Sequence, residues 1–119
     1  SNSGTTRDLE SVFVLSSSAA YAVGDKGTIR FYNGTSWTGS SSSTTKDLKG
    51  VWAYASNDIY AVGKDGVVLH YNGTAWSNVS SAANTGSVDL QAAWGNSTKF
   101  YALGKNGNLY VYNRSAGTW

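Results

Sequence analysis

The chain has no cysteine and one histidine, His70, so several kinds of chemistry lack the side chains they need. Disulfides and thiolate metal sites are excluded. Nine basic and seven acidic residues are scattered singly, without the positive stripe that nucleic-acid phosphates require. No apolar run approaches the roughly 20 residues of a membrane span, and the N-terminal SNSGTTRD lacks the features of a signal peptide. We therefore expect no nucleic-acid partner, no membrane partner and no encoded export signal.

Catalysis needs convergent groups, and few are available in this sequence. His70 falls on a predicted strand, where we expect a packing or edge role, and the seven carboxylates fall mostly in predicted turns. No phosphate-binding loop, calcium loop or metal-ligand spacing occurs. The sequence predicts a protein that is not an enzyme and has neither a cofactor nor a metal site.

What is abundant is a repeat of about 40 residues, rich in glycine and aromatic side chains. Three segments begin at Leu9, Leu48 and Leu90, and an aromatic residue follows four positions later in each. Each segment then carries one phrase: YAVGDKGTIRFYNGTSW, YAVGKDGVVLHYNGTAW or YALGKNGNLYVYNRSAGTW. Each unit divides into four short strands, and four antiparallel strands in about 40 residues are typical of a β-propeller blade. We predict an all-β single unit over 1–119, with blade one at 9–47, blade two at 48–89, and blade three at 90–119 plus 1–8.

The turns support this division. The segments GDKG, GKDG and GKNG supply positive φ angles between the second and third strands. Asn33-Gly34 and Asn72-Gly73 are predicted to form type I′ turns between the third and fourth strands. Asp8, Asp47 and Asp89 are expected to accept hydrogen bonds from backbone amides ahead of the inner strand.

The repeat resembles a group of bacterial propeller repeats written V-W-x-S-S-x-x-D-I-Y-A-V-G-x-x-G-x-I-x-x-Y-N-G-T-x-W. Blade two matches this pattern best, from Val51 to Trp76, whereas blade three has Asn113-Arg114-Ser115 in place of Asn-Gly-Thr. The resemblance covers essentially the whole chain and implies an adaptable scaffold with no fixed ligand. A natural and an engineered multi-blade fragment fit the residues equally well.

The two ends predict how the ring closes. The third repeat stops at Trp119, which opens the fourth strand in the other repeats, and the segment 3–9 aligns with 42–48. We therefore expect the N-terminal segment to be the outer strand of blade three, a Velcro arrangement. Propellers have about four to eight blades, so three blades need a partner, and two chains would give a six-bladed homodimer. A fragment of a longer propeller is the alternative.

Two functions fit this fold. The first is a non-enzymatic oligomeric scaffold that binds a protein or glycan, and the second is a lectin with repeated sites near the blade interfaces. The repeated tryptophans either fill the space between blades or stack on sugar rings. Loop topology places the charged loop residues, among them Lys26, Asp47, Asp65, Asp89 and Lys105, on one face, the charged face. The opposite face, the polar face, carries Asn33, Asn57, Asp58, Asn72 and Asn96 near the tryptophans and better suits a sugar. The candidate ligand-binding residues are Trp37, Trp76, Trp119, Asn33, Asn72, Asn57 and Asp58.

Overall fold

The computed structural model describes residues 9–40, 42, 44–79, 88–105 and 107–114. These residues form eleven strands and two short 3-10 turns, at Asp25–Gly27 and Lys64–Gly66. Trp119 and the segment 1–8 lie outside the described residues, and so does the predicted outer strand of blade three. The strands are β1 (Leu9–Ser16), β2 (Ala19–Gly24), β3 (Ile29–Tyr32), β4 (Trp37–Ser40), β5 (Leu48–Ala55), β6 (Asp58–Gly63), β7 (Val68–Tyr71), β8 (Trp76–Asn78), β9 (Leu90–Gly95), β10 (Lys99–Gly104) and β11 (Leu109–Asn113).

The strands form three antiparallel meanders, which are the predicted propeller blades. Blades one and two have four strands each, in the orders β1-β2-β3-β4 and β5-β6-β7-β8, and the described part of blade three is β9-β10-β11. The repeat keeps the register: Phe13 pairs with Tyr21, Trp52 with Tyr60, and Trp94 with Tyr101. The all-β propeller prediction is therefore confirmed.

The turns between the second and third strands follow the prediction, and those between the third and fourth do not. Lys26 has φ 56° and Gly27 φ 76°, and the equivalent pair in blade two has the same conformation. In the loops that begin at Asn33 and Asn72, only the glycine has a positive φ, so the type I′ prediction is wrong. The reason is that the Asn33 side-chain oxygen accepts the backbone N–H groups of Thr35 and Ser36, both at 2.9 Å, which closes a longer Asx loop. Asn72 does the same.

The core lies between blades, where one face of each sheet packs on the next. We call the side that contacts the following blade the leading face and the side that contacts the preceding blade the trailing face. Tyr21, Val23 and Ile29 on the leading face of blade one pack against Val51 and other residues on the trailing face of blade two. The leading face of blade two packs in the same way on blade three through Trp52, Tyr60, Val62, Val68, Leu90, Phe100 and Ala102. Alternation along each strand thus gives every blade two apolar faces.

Two aspartates connect neighbouring blades on the charged face. The Asp47 carboxylate accepts the backbone N–H of Lys26 in blade one, and its main-chain oxygen accepts that of Lys64 in blade two, both at 2.8 Å. Asp89 bonds the backbone N–H groups of Asp65 and Lys105 in the same way. These amides lie in the turns between the second and third strands. The prediction that the aspartates would bond amides ahead of the inner strand is therefore wrong. Asp8 lies outside the described residues.

Within the described ranges, no helix has the length and apolar character that crossing a membrane requires.

Candidate functional site

The contact between blades one and two contains a pocket of about 280 Å³. One wall belongs to the leading face of blade one, and the other wall belongs to blade two. The lining residues are Tyr21, Ile29, Phe31, Thr38, Gly39, Ser56, Tyr71 and Trp76. The repeat produces this arrangement because it places an aromatic residue on the second, third and fourth strands of each blade.

The aromatic walls of this pocket are held by ring contacts within each blade. Tyr21 and Phe31 have ring centroids 5.1 Å apart, and Tyr71 and Trp76 have centroids 5.3 Å apart. Burial, with a smaller contribution from Tyr71, raises the pKa of Tyr21 above its ordinary value, so this phenol stays protonated at neutral pH. Two aromatic walls with neutral hydroxyls nearby can hold a small uncharged ligand.

Trp76, Asn72 and Asn57 lie near one another, although their roles differ. Trp76 lines the pocket and also belongs to the core between blades one and two, so both interpretations of the tryptophans apply to it. Asn57 is exposed, and its Cβ would lie 2.9 Å from a Cβ added at Gly73, so the two loops of blade two touch. Asn72 is also exposed, but its side-chain oxygen closes its own loop.

Trp37 and Asn33 are the equivalent residues of blade one and lie apart from this pocket. The Trp37 ring packs on Tyr32 with centroids 5.2 Å apart, on the trailing side of blade one. Asn33 closes the loop just before it and is exposed. Trp119 would be their counterpart in blade three.

Asp58 takes part in a charged cluster between blades two and three that sequence reasoning missed. Its carboxylate lies 2.8 Å from Nε2 of His70 and also accepts a hydrogen bond from the Arg114 guanidinium. His70 therefore has a carboxylate partner, and it also packs on Tyr60 with ring centroids 4.7 Å apart. Burial and the nearby Asp58 raise the pKa of Tyr60 to about 12.

Arg114 joins the loops around this cluster. Its Nη1 donates to the main-chain oxygens of Ser97, at 2.7 Å, and of Asn96, at 3.2 Å. The guanidinium carbon lies 4.1 Å from the ring centroid of Tyr54, whose side chain is 49% exposed. The signal for this cluster was the departure from the repeat at Arg114, where the other blades have glycine. The Arg114 side chain is only 12% exposed, so Tyr54 is the group of this cluster that faces solvent.

The charged face carries a second, wider opening of about 510 Å³ around the inner ends of the blades. Its charges are balanced, with Glu10 lying 3.5 Å from Lys49. Nearby, Lys46 bonds Asp65 at 2.7 Å, and this hydrogen bond lowers the pKa of the Asp65 carboxyl and raises that of the Lys46 ammonium. The other lining residues are Asp47, Lys64, Asp89, Leu90, Gln91 and Lys105. Among the described residues, no three His, Cys, Asp or Glu side chains form a group that could hold a metal ion.

The outermost blade faces are exposed and mostly apolar, apart from Arg30, which lies in the same cross-strand row as Val12 on the trailing face of blade one. On the trailing face of blade one, Val12 is 61% and Val14 is 65% exposed, whereas Val51, the counterpart of Val12 in blade two, is 5% exposed. On the leading face of blade three, Trp94 is 45% and Leu109 is 47% exposed, although their counterparts in blade two are buried. The same residue positions are thus covered inside the chain and uncovered at its two outer blades.

Comparison with solved structures identifies similar folds. The chain resembles the structure of YCF48 bound to D1 peptide, with a TM-score of 0.78 and 16% identity over 96% of this chain and 39% of that one. It also resembles the WD40 β-propeller domain of Doa1, with a TM-score of 0.71 and 15% identity over 92% of this chain and 39% of that one. No protein-family model matches, and no curated protein has a similar sequence. The chain therefore has the fold of part of a propeller and spans about two fifths of each neighbour.

Proposed function

We propose that this chain is a non-enzymatic binding scaffold whose propeller ring is completed by a second copy. The observation that carries the proposal is the pair of exposed apolar faces on blades one and three. Contiguous exposed apolar surface of this kind marks a site of interaction, because leaving it in water is unfavourable.

A second copy fits these faces because the chain already contains the same contact twice. The leading face of blade one packs on the trailing face of blade two, and blade two packs in the same way on blade three. The open leading face of blade three and the open trailing face of blade one carry the same repeat positions as these two contacts, with Arg30 in place of Leu69. Blade three of one copy therefore has a matching surface on blade one of another.

The number of copies follows from the geometry of such a contact. A leading face on a trailing face joins two different surfaces, and contacts of this type give closed rings when the rotation per blade adds up to a full turn. Two copies give six blades, within the range of about four to eight that propellers have, and three copies give nine. The homodimer is the state we propose.

The ligand we propose is a protein or peptide bound on the polar face, which carries Asn57, Asp58, Asn72 and Asn96. Tyr54, which is 49% exposed and is held against the Arg114 guanidinium at the contact of blades two and three, supplies an aromatic group of the kind that dominates binding at protein interfaces. The structural similarity to YCF48, which was solved bound to D1 peptide, supports this class of ligand.

A second candidate function is carbohydrate binding, and the pocket between blades one and two favours it. Trp76 and Tyr71 form one aromatic wall of that pocket, and Thr38 and Ser56 add hydroxyl groups. The repeated tryptophans would then serve both packing and ligand contact.

The test of the scaffold proposal is the molar mass of the chain in solution, measured by light scattering after size exclusion over a range of concentrations. We expect the mass of two chains, falling towards one on dilution. A single chain at every concentration would overturn the proposal, because the open faces would then be tolerated in water.

A further inference from the structure

Each of the two walls of the pocket between blades one and two has a counterpart elsewhere in the chain. Its trailing wall in blade two is the Tyr71–Trp76 pair with Ser56, and its leading wall in blade one contains Tyr21 and Ile29. A ring made of two copies would bring the trailing wall of blade one and the leading wall of blade three together at each subunit contact.

The trailing wall of blade one is already formed within the single chain. Tyr32 and Trp37 have ring centroids 5.2 Å apart with an interplanar angle of 42°, and Tyr71 and Trp76 have values of 5.3 Å and 37°. Ser17 stands at the position of Ser56 in the repeat. The ring geometry of the Tyr71–Trp76 wall is thus reproduced in blade one, where Arg30, at the repeat position of Leu69, donates to the main-chain oxygen of Trp37 at 3.4 Å.

The leading wall of blade three has matching residues. Tyr101 and Leu109 take the places of Tyr21 and Ile29 in the repeat, and Leu109 is 47% exposed. Val111 replaces Phe31, which leaves more space than in the pocket inside the chain.

We propose that ring closure completes a second pocket at each subunit contact, built from Tyr32 and Trp37 of one copy and Tyr101 and Leu109 of the other, and that both kinds of pocket bind one neutral sugar ring. This inference rests on the proposed two-copy ring, and it assigns a ligand class to the carbohydrate function.

The lining determines the ligand class. None of the described residues that line the pocket inside the chain is charged, so an ionic ligand would be buried without a partner, at a high cost. Its volume of about 280 Å³ is below the range of roughly 300–1,000 Å³ that holds drug-sized ligands, so it admits a single ring. A sugar ring offers apolar faces to Trp76 and Tyr71 and hydroxyls to Thr38 and Ser56. An apolar peptide side chain would bond neither of these two hydroxyls, whereas a sugar can bond both.

A pocket shared by two copies couples sugar binding to assembly. A ligand that binds only the dimer stabilises it, and the dimer in turn binds that ligand more tightly. With a sugar at ten times its dissociation constant in both shared pockets, the dimer Kd should tighten by about a hundredfold. The pocket inside each chain lies within one copy and gives no such coupling.

The experiment is sedimentation equilibrium of the full chain, without and with methyl glycosides of neutral hexoses and N-acetylhexosamines, combined with calorimetric titration. We expect two sugars per chain and a dimer Kd that tightens with sugar. Trp37→Leu keeps an apolar side chain but removes the stacking ring, so it should leave one sugar per chain and abolish the tightening. Thr38→Val changes only the pocket inside the chain, so it should weaken one class of site and keep the tightening.

The outcomes separate the two proposals. A chain that stays monomeric with and without sugar overturns the ring and this inference together. A dimer whose Kd does not respond to any of the sugars, or a Trp37→Leu variant that still responds, overturns the shared pocket alone. Binding of N-acetyltyrosinamide in place of the sugars would assign the pockets to peptide side chains and overturn the ligand class.

Discussion

Replacing Val12 and Val14 by threonine should dissociate the proposed ring without unfolding the chain. Both side chains are more than 60% exposed in the single chain, so their replacement changes little in its core. Threonine keeps the β-branched shape that suits a strand. In the ring, however, these positions would be as buried as their counterparts Val51 and Ala53, which are 5% and 3% exposed, and the new hydroxyls would lack partners.

The size of the effect follows from counting hydroxyl groups. A buried unsatisfied hydroxyl costs about 1–3 kcal/mol, and a two-copy ring would contain four of them, which gives about 4 kcal/mol at the lower limit. Since about 1.4 kcal/mol corresponds to a tenfold change, the dimer Kd should weaken by about a thousandfold. Sedimentation equilibrium measures this Kd, and urea unfolding at low protein concentration measures the stability of the single chain.

Val51→Thr is the matched control, because the same change is made at the equivalent position of a covered face. It should lower the free energy of unfolding of the chain by about 1–3 kcal/mol and leave the dimer Kd of the folded chain nearly unchanged. If the Val12 and Val14 double variant dimerises as well as the original chain, the trailing face of blade one is not the subunit contact and the reasoning fails.

Three further predictions concern the single chain. Gly27→Ala should lower the free energy of unfolding by about 3 kcal/mol or more, because Gly27 has φ 76° and a Cβ there would lie 2.0 Å from a backbone oxygen. Gly107→Ala, with open space around the added Cβ, should lower it by only about 1 kcal/mol, and thermal unfolding compares the two variants. A double-mutant cycle of Asp58→Asn and Arg114→Lys, followed by urea unfolding, should show a coupling of about 1 kcal/mol or more, and an additive cycle would contradict the cluster. The raised pKa of Tyr60, about 12, means that its contribution to stability is complete below pH 10 and is lost as the pH rises towards 12. This loss should amount to about 2 kcal/mol and should be absent in Tyr60→Phe when unfolding is measured at pH 8, 10 and 11.5.

The strands and their register were predictable because the same sequence pattern occurs three times. Phe13, Trp52 and Trp94 each pair with the first tyrosine of the following phrase, as equal spacing in an antiparallel meander requires. The loops after β3 and β7 were predicted wrongly, because Asn-Gly alone does not fix a turn type. Asn33 and Asn72 gain more hydrogen bonds by accepting two backbone amides each than a two-residue turn would allow.

The candidate site was predicted only in part, because its contacts join residues distant in sequence. Trp76 was selected from the repeat and does line a pocket, but the opposite wall belongs to another blade. Asp58 was selected as a polar loop residue, and its partner Arg114 is 56 positions away. Arg114 could be recognised from the sequence as a departure from the repeat, because the other blades have glycine at that position. The repeat does not predict which side chain this arginine contacts.

Val12 and Val51 show why the repeat could not reveal which faces are open. They are the same residue at the same position of two blades, yet one is 61% exposed and the other 5%. The difference lies wholly in whether a neighbouring blade is present, a property of the arrangement and not of the local sequence. The open trailing face belongs to blade one and the open leading face belongs to blade three. These blades are not consecutive, so the two faces of one chain do not cover each other as neighbouring blades do. In the proposed assembly, protein concentration therefore decides whether they are covered, and the dimer should dissociate on dilution while each chain keeps its two inner blade contacts.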